Sequence, residues 1–97
     1  MRGGFTYIVT NKPFGVLYTG VTADIAARAC SLIANAGGSK FAARWDCTRL
    51  MLVEVHDTIE EAIAREKMLK NWNRVWKLRL IAEANPNWDD LWDRINV

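Results

Sequence analysis

Four side chains have types and positions that could do chemistry together: Tyr7, Tyr18, Arg28 and Glu66. The two tyrosines flank the turn-like centre of FTYIVTNKPFGVLYTG. A phenol can orient a water molecule, or take a proton from it once a nearby cation has lowered its ordinary pKa of about 10. Tyrosine is also a good strand residue, so packing alone would explain both. Arg28, in TADIAARACSLIA, carries a planar fork of donors that suits a phosphate, although a surface arginine on a helix needs no such partner. Glu66 is the odd one. The apolar stripe Ile59, Ala62 and Ile63 reaches it at i+7, where another aliphatic residue is expected. A carboxylate on a buried face must be compensated. It either pairs with Lys70 one turn on, or points into a cleft and holds a cation.

The charge distribution narrows the partner. The formal net charge is only +2, yet Arg65 to Arg79 places six basic residues against the single acid Glu66. A local excess of this kind suits a polyanion, and it also suits a solvated lysine-rich helix face. Two cysteines, Cys30 and Cys47, and one histidine, His56, are too few for a four-ligand zinc site. With no secretory leader pattern, reduced thiols and a cytoplasmic location are expected. No apolar run approaches the roughly 20 residues of a membrane span. A length of 97 residues predicts one domain, residues 1–97.

Elements must bring those four side chains together. Phe5–Thr10 and Val16–Gly20 are β-branched and aromatic runs around NKPFG, which reads as a hairpin. A loop centred near Lys12–Pro13 sets Tyr7 across from Tyr18 or Thr19, on or near one patch. A helix follows, capped by Thr22 or Asp24, with Ile25, Ala29, Leu32 and Ile33 as its stripe and NAGGS as its end. Arg49–His56 is a strand whose continuous apolar start predicts a central position with both faces covered. Thr58 and Glu61 form a capping box for a helix running to about Lys70. Another helix spans Arg74–Ala84, with Trp72, Trp76 and Leu80 spaced by four and read as core. Asn85–Pro86 ends it before a short turn anchored by Trp88, Leu91 and Trp92. The order ββαβααα predicts an α+β domain, a three-stranded antiparallel sheet flanked by helices.

FTYIVTN…GVLYTGVT, TADIAAR and above all EEAIAREKMLKNWNRVWK together resemble the GIY-YIG nuclease family, most closely its small single-domain bacterial members. The resemblance runs from about Gly4 to Trp92. It implies hydrolysis of nucleic-acid phosphodiesters with one divalent cation, Mg²⁺ or Mn²⁺. Tyr7 falls on the first motif's tyrosine, in F-T-Y where the family name has G-I-Y. Tyr18-Thr19-Gly20 falls on the second, with Gly20 its glycine. Arg28 would grip a phosphate oxygen, and Glu66 would be the sole protein ligand of a metal that keeps most of its waters. Tyr7 would take the proton of the attacking water and Tyr18 would orient water or phosphate. Two positions depart from the pattern: Leu32 stands where small members carry a histidine, and Ala42 where many have a polar residue. Loss of a proton-transfer helper would slow catalysis by roughly 10²–10⁴.

The expected function is therefore divalent-metal-dependent endonuclease activity, with DNA the expected nucleic acid and no small-molecule cofactor. The alternative is a non-catalytic nucleic-acid-binding module that keeps the fold. A protein-interaction domain built on exposed tryptophans is a further alternative. Lys40, Lys67, Lys70, Arg74 and Lys77 are the expected phosphate contacts, which position a strand without reading its sequence.

Overall fold

The computed structural model describes residues 3–12, 14–25, 27 and 49–91. Three strands, β1 (Gly4–Thr10), β2 (Leu17–Thr22) and β3 (Arg49–His56), form an antiparallel sheet in the order β2-β1-β3. Helices α1 (Ile59–Asn71) and α2 (Arg74–Ala84) follow. This is the α+β architecture expected from the sequence. The helix expected after β2 lies mostly outside the described residues. Ile25 and Ala27 are helical, and the Asp24 carboxylate accepts from the Ala27 N–H at 3.1 Å, as an N-cap does.

The hairpin register differs from the expectation. Tyr7 pairs with Gly20, and Tyr18 pairs with Val9. The loop itself shows why. Asn11 Oδ1 accepts from the Val16 N–H at 3.0 Å, the Gly15 N–H donates to Lys12 O at 2.9 Å, and Phe14 takes a positive φ of 58°. The turn is thus a wider loop than one centred on Lys12–Pro13. Tyr7 and Tyr18 become diagonal neighbours on one face, because Tyr7 lies two residues from Val9. The shared patch survives the change of register.

β3 is an edge strand, not the central one. Its pairing slips between Ile8 and Val9: Ile8 faces Leu52 and Val9 faces Leu50, which leaves Met51 as the extra residue of a bulge. The bulge sends Leu50 into the cluster of Tyr7, Val9, Ile25 and Leu91, and Leu52 into the cluster of Ile8, Met51, Ile81 and Trp88. Three consecutive side chains are buried without the strand being central. The C-terminal segment covers part of the outer edge: the Leu91 N–H donates to Leu50 O, the Leu50 N–H to Asp90 Oδ1, and Asn85 Nδ2 to Met51 O. Covering an edge in this way satisfies its backbone groups and blocks pairing with other chains.

The capping box forms as expected, with reciprocal Thr58–Glu61 hydrogen bonds, and α1 buries Ala62 and Leu69. Ile63, expected on the inner stripe, is 37% exposed. In α2 the fully buried residue is Ile81, with Leu78 and Leu80 partly covered. Trp76, read as core from its spacing, is 51% exposed. Trp88 and Leu91 are buried as expected. The N–H of Asn85 closes α2 on Ile81 O at 2.6 Å.

Candidate functional site

β1 carries Tyr7 almost fully buried, in one cluster with Val9, Ile25 and Leu50, and Tyr18 packs on the rim of the same cluster. Gly20 lies directly opposite Tyr7 and is covered by its ring. A methyl group built on Gly20 would meet Tyr7 Cζ and Oη at 2.5 Å and Cε1 at 2.9 Å. The motif glycine is therefore required by contact: the phenol occupies the space a side chain would need. The sheet fixes Tyr7 from below and the packed cluster fixes it from the side.

α1 brings Glu66 to this rim. It lies on the helix face that also holds Ala62 and Leu69, and its side chain is 13% exposed. Lys70 Nζ is 2.7 Å from Glu66 Oε2 and 5.8 Å from the centre of the Tyr18 ring. Of the two alternatives, Glu66 shows the first. It pairs with Lys70 one turn on, yet it stays on the covered face and shares a cation with a motif tyrosine. The hydrogen bond to Glu66 holds the Lys70 ammonium above its ordinary pKa against the opposing effect of burial, helped by the charges of Glu66 and Tyr18. Lys77 is pushed the other way, first by burial and then by the nearby Lys70. Two cations held near one another beside a mostly covered carboxylate make an anion-attracting rim.

The other expected contacts are distributed around this rim. Lys67 is exposed on α1. Arg74 Nη2 donates to Phe14 O at 2.7 Å and Gly15 O at 2.8 Å, tying the start of α2 to the hairpin loop. Arg28, Leu32, Lys40 and Ala42 lie outside the described residues. Among the described residues there is no cluster of three or more His, Cys, Asp or Glu side chains able to hold a metal. A lone hard-oxygen donor such as Glu66 fits a magnesium-like ion, which needs few protein ligands, and does not fit zinc.

Sequence reasoning missed two features beside this site. Glu54 on β3 binds Arg65 through both carboxylate oxygens, at 2.8 and 3.1 Å, and Arg65 in turn lies 5.2 Å above the Trp72 ring. Trp72 meets Trp76 edge to face at 5.8 Å. The four-residue spacing of the two tryptophans was the available signal, and it cannot tell an inner stripe from an outer one.

A tyrosine pair on a hairpin, with the second motif's glycine beneath the first tyrosine and a helical glutamate at their rim, defines a nuclease-type domain of the GIY-YIG class. The family model described as the GIY-YIG catalytic domain matches residues 3–79, and the chain belongs to that family. Among its relatives is a UPF0213 protein of Staphylococcus saprophyticus, 38% identical over 80 residues, covering 82% of this chain and 95% of the relative. A UPF0213 protein of Staphylococcus aureus is 38% identical over 84 residues, covering 86% and 99%. No solved structure gives a significant match.

Proposed function

We propose that the protein hydrolyses phosphodiester bonds in nucleic acid, DNA being the expected substrate, with one divalent cation at Glu66. The observation that carries this reading is the position of Glu66: a carboxylate on the covered face of α1, 13% exposed, linked to the motif tyrosine Tyr18 through Lys70. A carboxylate kept there without function would be a poor use of a core-facing position. When bound, a Mg²⁺ or Mn²⁺ ion would supply charge stabilisation at the phosphate and the leaving oxygen. Tyr7, locked between Gly20 and its cluster, holds its hydroxyl in a fixed direction. Once ionised to the phenolate beside a cation, it would accept the proton of the attacking water and return to the phenol. Tyr18, half-buried beside Lys70, orients water or phosphate. Arg28 grips a nonbridging oxygen, and Lys67, Lys70, Arg74 and Lys77 with Lys40 hold the flanking backbone. Leu32, in place of the histidine, makes the expected rate low. The cytoplasm is the location this reading supports.

The test is nicking of supercoiled plasmid and of a branched DNA with Mg²⁺ or Mn²⁺, comparing wild type with Glu66→Ala from identical preparations. Cleavage that disappears in the variant is the expected result. Equal cleavage by both would assign the activity to a contaminant. No cleavage by either, with binding intact, would favour a binding module that retains the fold.

A further inference from the structure

The second aromatic feature has a shape of its own. Trp72, Trp76, Arg79, Leu80 and Glu83 line a cleft of about 260 Å³ on the outer side of α2. Its tryptophans stand at 85° to one another, so they form a corner rather than a stack. Trp76 is 51% exposed and offers an open indole surface. Trp72 is braced behind it: Arg65 lies over its ring and is itself clamped by both oxygens of Glu54. The wall is therefore pre-organised, and a ligand entering it orders little that is not already fixed.

The composition of the cleft points to one kind of occupant. A planar ring resting on one indole presents its edge to the other wall of the corner. Arg79 supplies donors and Glu83 an acceptor at the margin, the complement of a nucleobase edge. α2 carries Arg74, Lys77 and Arg79 against the single acid Glu83. A neutral or basic apolar peptide would gain the indoles but not match this excess of positive charge, whereas a nucleotide brings a ring and a phosphate together. Lys77 directly follows Trp76 in α2 and lies near enough to Lys70 for the two charges to repel. Cations thus extend from Lys70 at Glu66 to Lys77 on the helix that carries the cleft.

We propose that this cleft holds one unstacked nucleobase flanking the attacked phosphodiester, so that the preferred substrate carries an unpaired nucleotide, as in a single strand, flap or gap. The proposal rests on the nucleic-acid reading above and specifies its substrate class. Base-paired duplex cannot offer a free ring face without extrusion, while single strands can.

The test is fluorescence anisotropy in EDTA, which prevents cleavage, with a labelled single-stranded oligonucleotide and its abasic counterpart of equal phosphate number. Wild type should bind the base-bearing strand roughly 5- to 150-fold more tightly, the range for one stacked base. Trp76→Ala should erase that preference, Trp76→Phe should retain most of it, and both should keep the wild-type salt slope. Unchanged melting curves would show that the exposed substitutions leave the fold intact. Equal binding of the two strands by wild type, or an undiminished preference in Trp76→Ala, overturns the proposal. Plasmid nicking measured in parallel separates the two readings. Glu66-dependent nicking without base preference removes only the cleft; base preference without nicking removes only hydrolysis. A concentration-dependent dimer in sedimentation, lost in Trp76→Ala and accompanied by no base preference, would assign the cleft to self-association instead.

Discussion

Replacing Gly20 with alanine tests the central claim about Tyr7 most directly. On a strand, alanine for glycine should stabilise by about 0.5–1 kcal/mol, because the unfolded chain loses freedom. Here the added methyl would lie 2.5 Å from both Cζ and Oη of Tyr7. The ring end of an exposed tyrosine would swing away at little cost, but Tyr7 is 2% exposed and packed among Val9, Ile25, Leu50 and Leu91. Relief must come from an off-rotamer ring or from separation of β1 and β2, which costs about 1–3 kcal/mol in a packed core. The net expectation is destabilisation by roughly 1–2 kcal/mol. In a domain of this size each kcal/mol lowers Tm by about 4–8 °C. Thermal denaturation followed by circular dichroism measures it. Adding Tyr7→Phe to Gly20→Ala removes one of the two closest atoms, so the pair should be coupled by at least about 0.5 kcal/mol. Nicking, assayed below both melting temperatures, should fall more in Gly20→Ala than the folded fraction explains, because the phenol has moved. A Tm equal to or above that of wild type would refute the reasoning, since the ring would then be free to give way.

Three further outcomes follow from the same geometry. Asn85, 2% exposed, donates to Met51 O and Asp89 O and accepts from the Asp89 N–H, so Asn85→Ala should cost roughly 2–4 kcal/mol in chemical denaturation; a loss below about 1 kcal/mol would mean that water replaces these bonds. Burial and Lys70 hold the Lys77 ammonium below the usual 10.5, so its charge opposes folding at neutral pH and the opposition fades as pH rises toward 10.5. Lys77→Met should accordingly melt higher than wild type near pH 7, with the gap closing near pH 10.5; a gap that widens with pH would reverse the sign of this argument. Removing Lys70 and Arg74 together should lower the slope of log affinity against log salt by about 2 if both meet phosphates, and an unchanged slope would exclude them from the interface.

Much of the fold was legible because its determinants are local. The capping box, the bounds of β3 and α2, and the break at Asn85–Pro86 each follow from a few adjacent residues. The register of the hairpin was not, because Asn11 closes the loop through a side-chain bond to Val16 that hydrophobic alternation does not encode. The position of β3 failed for a related reason. Leu50, Met51 and Leu52 are all buried, which reads as a central strand, yet the burial comes from a bulge opposite Ile8 and Val9 and from a chain end folded over the edge. Both causes are contacts between distant segments. Trp72 and Trp76 mark the same limit: four-residue spacing predicts that two side chains share a face, and only the packing of Ile81 decides that the face is an outer one.

Glu66 stood out in the sequence because it broke a pattern, and its surroundings show what holds its charge. A carboxylate covered to this degree cannot stay charged without a partner at modest cost. Lys70, half exposed and one helical turn away, supplies that partner through a bond of 2.7 Å. The Lys70 end is half exposed and makes a single contact, so the pair compensates the charge without the two-point clamp of Glu54–Arg65. Under the proposed function the flexible ammonium would leave for a phosphate when a divalent cation takes its place at Glu66, whereas the clamped Arg65 would stay at Glu54. The two acid–base pairs on α1 therefore differ in kind: Glu54–Arg65 braces the aromatic wall, and Glu66–Lys70 remains exchangeable at the place where the proposed chemistry requires it.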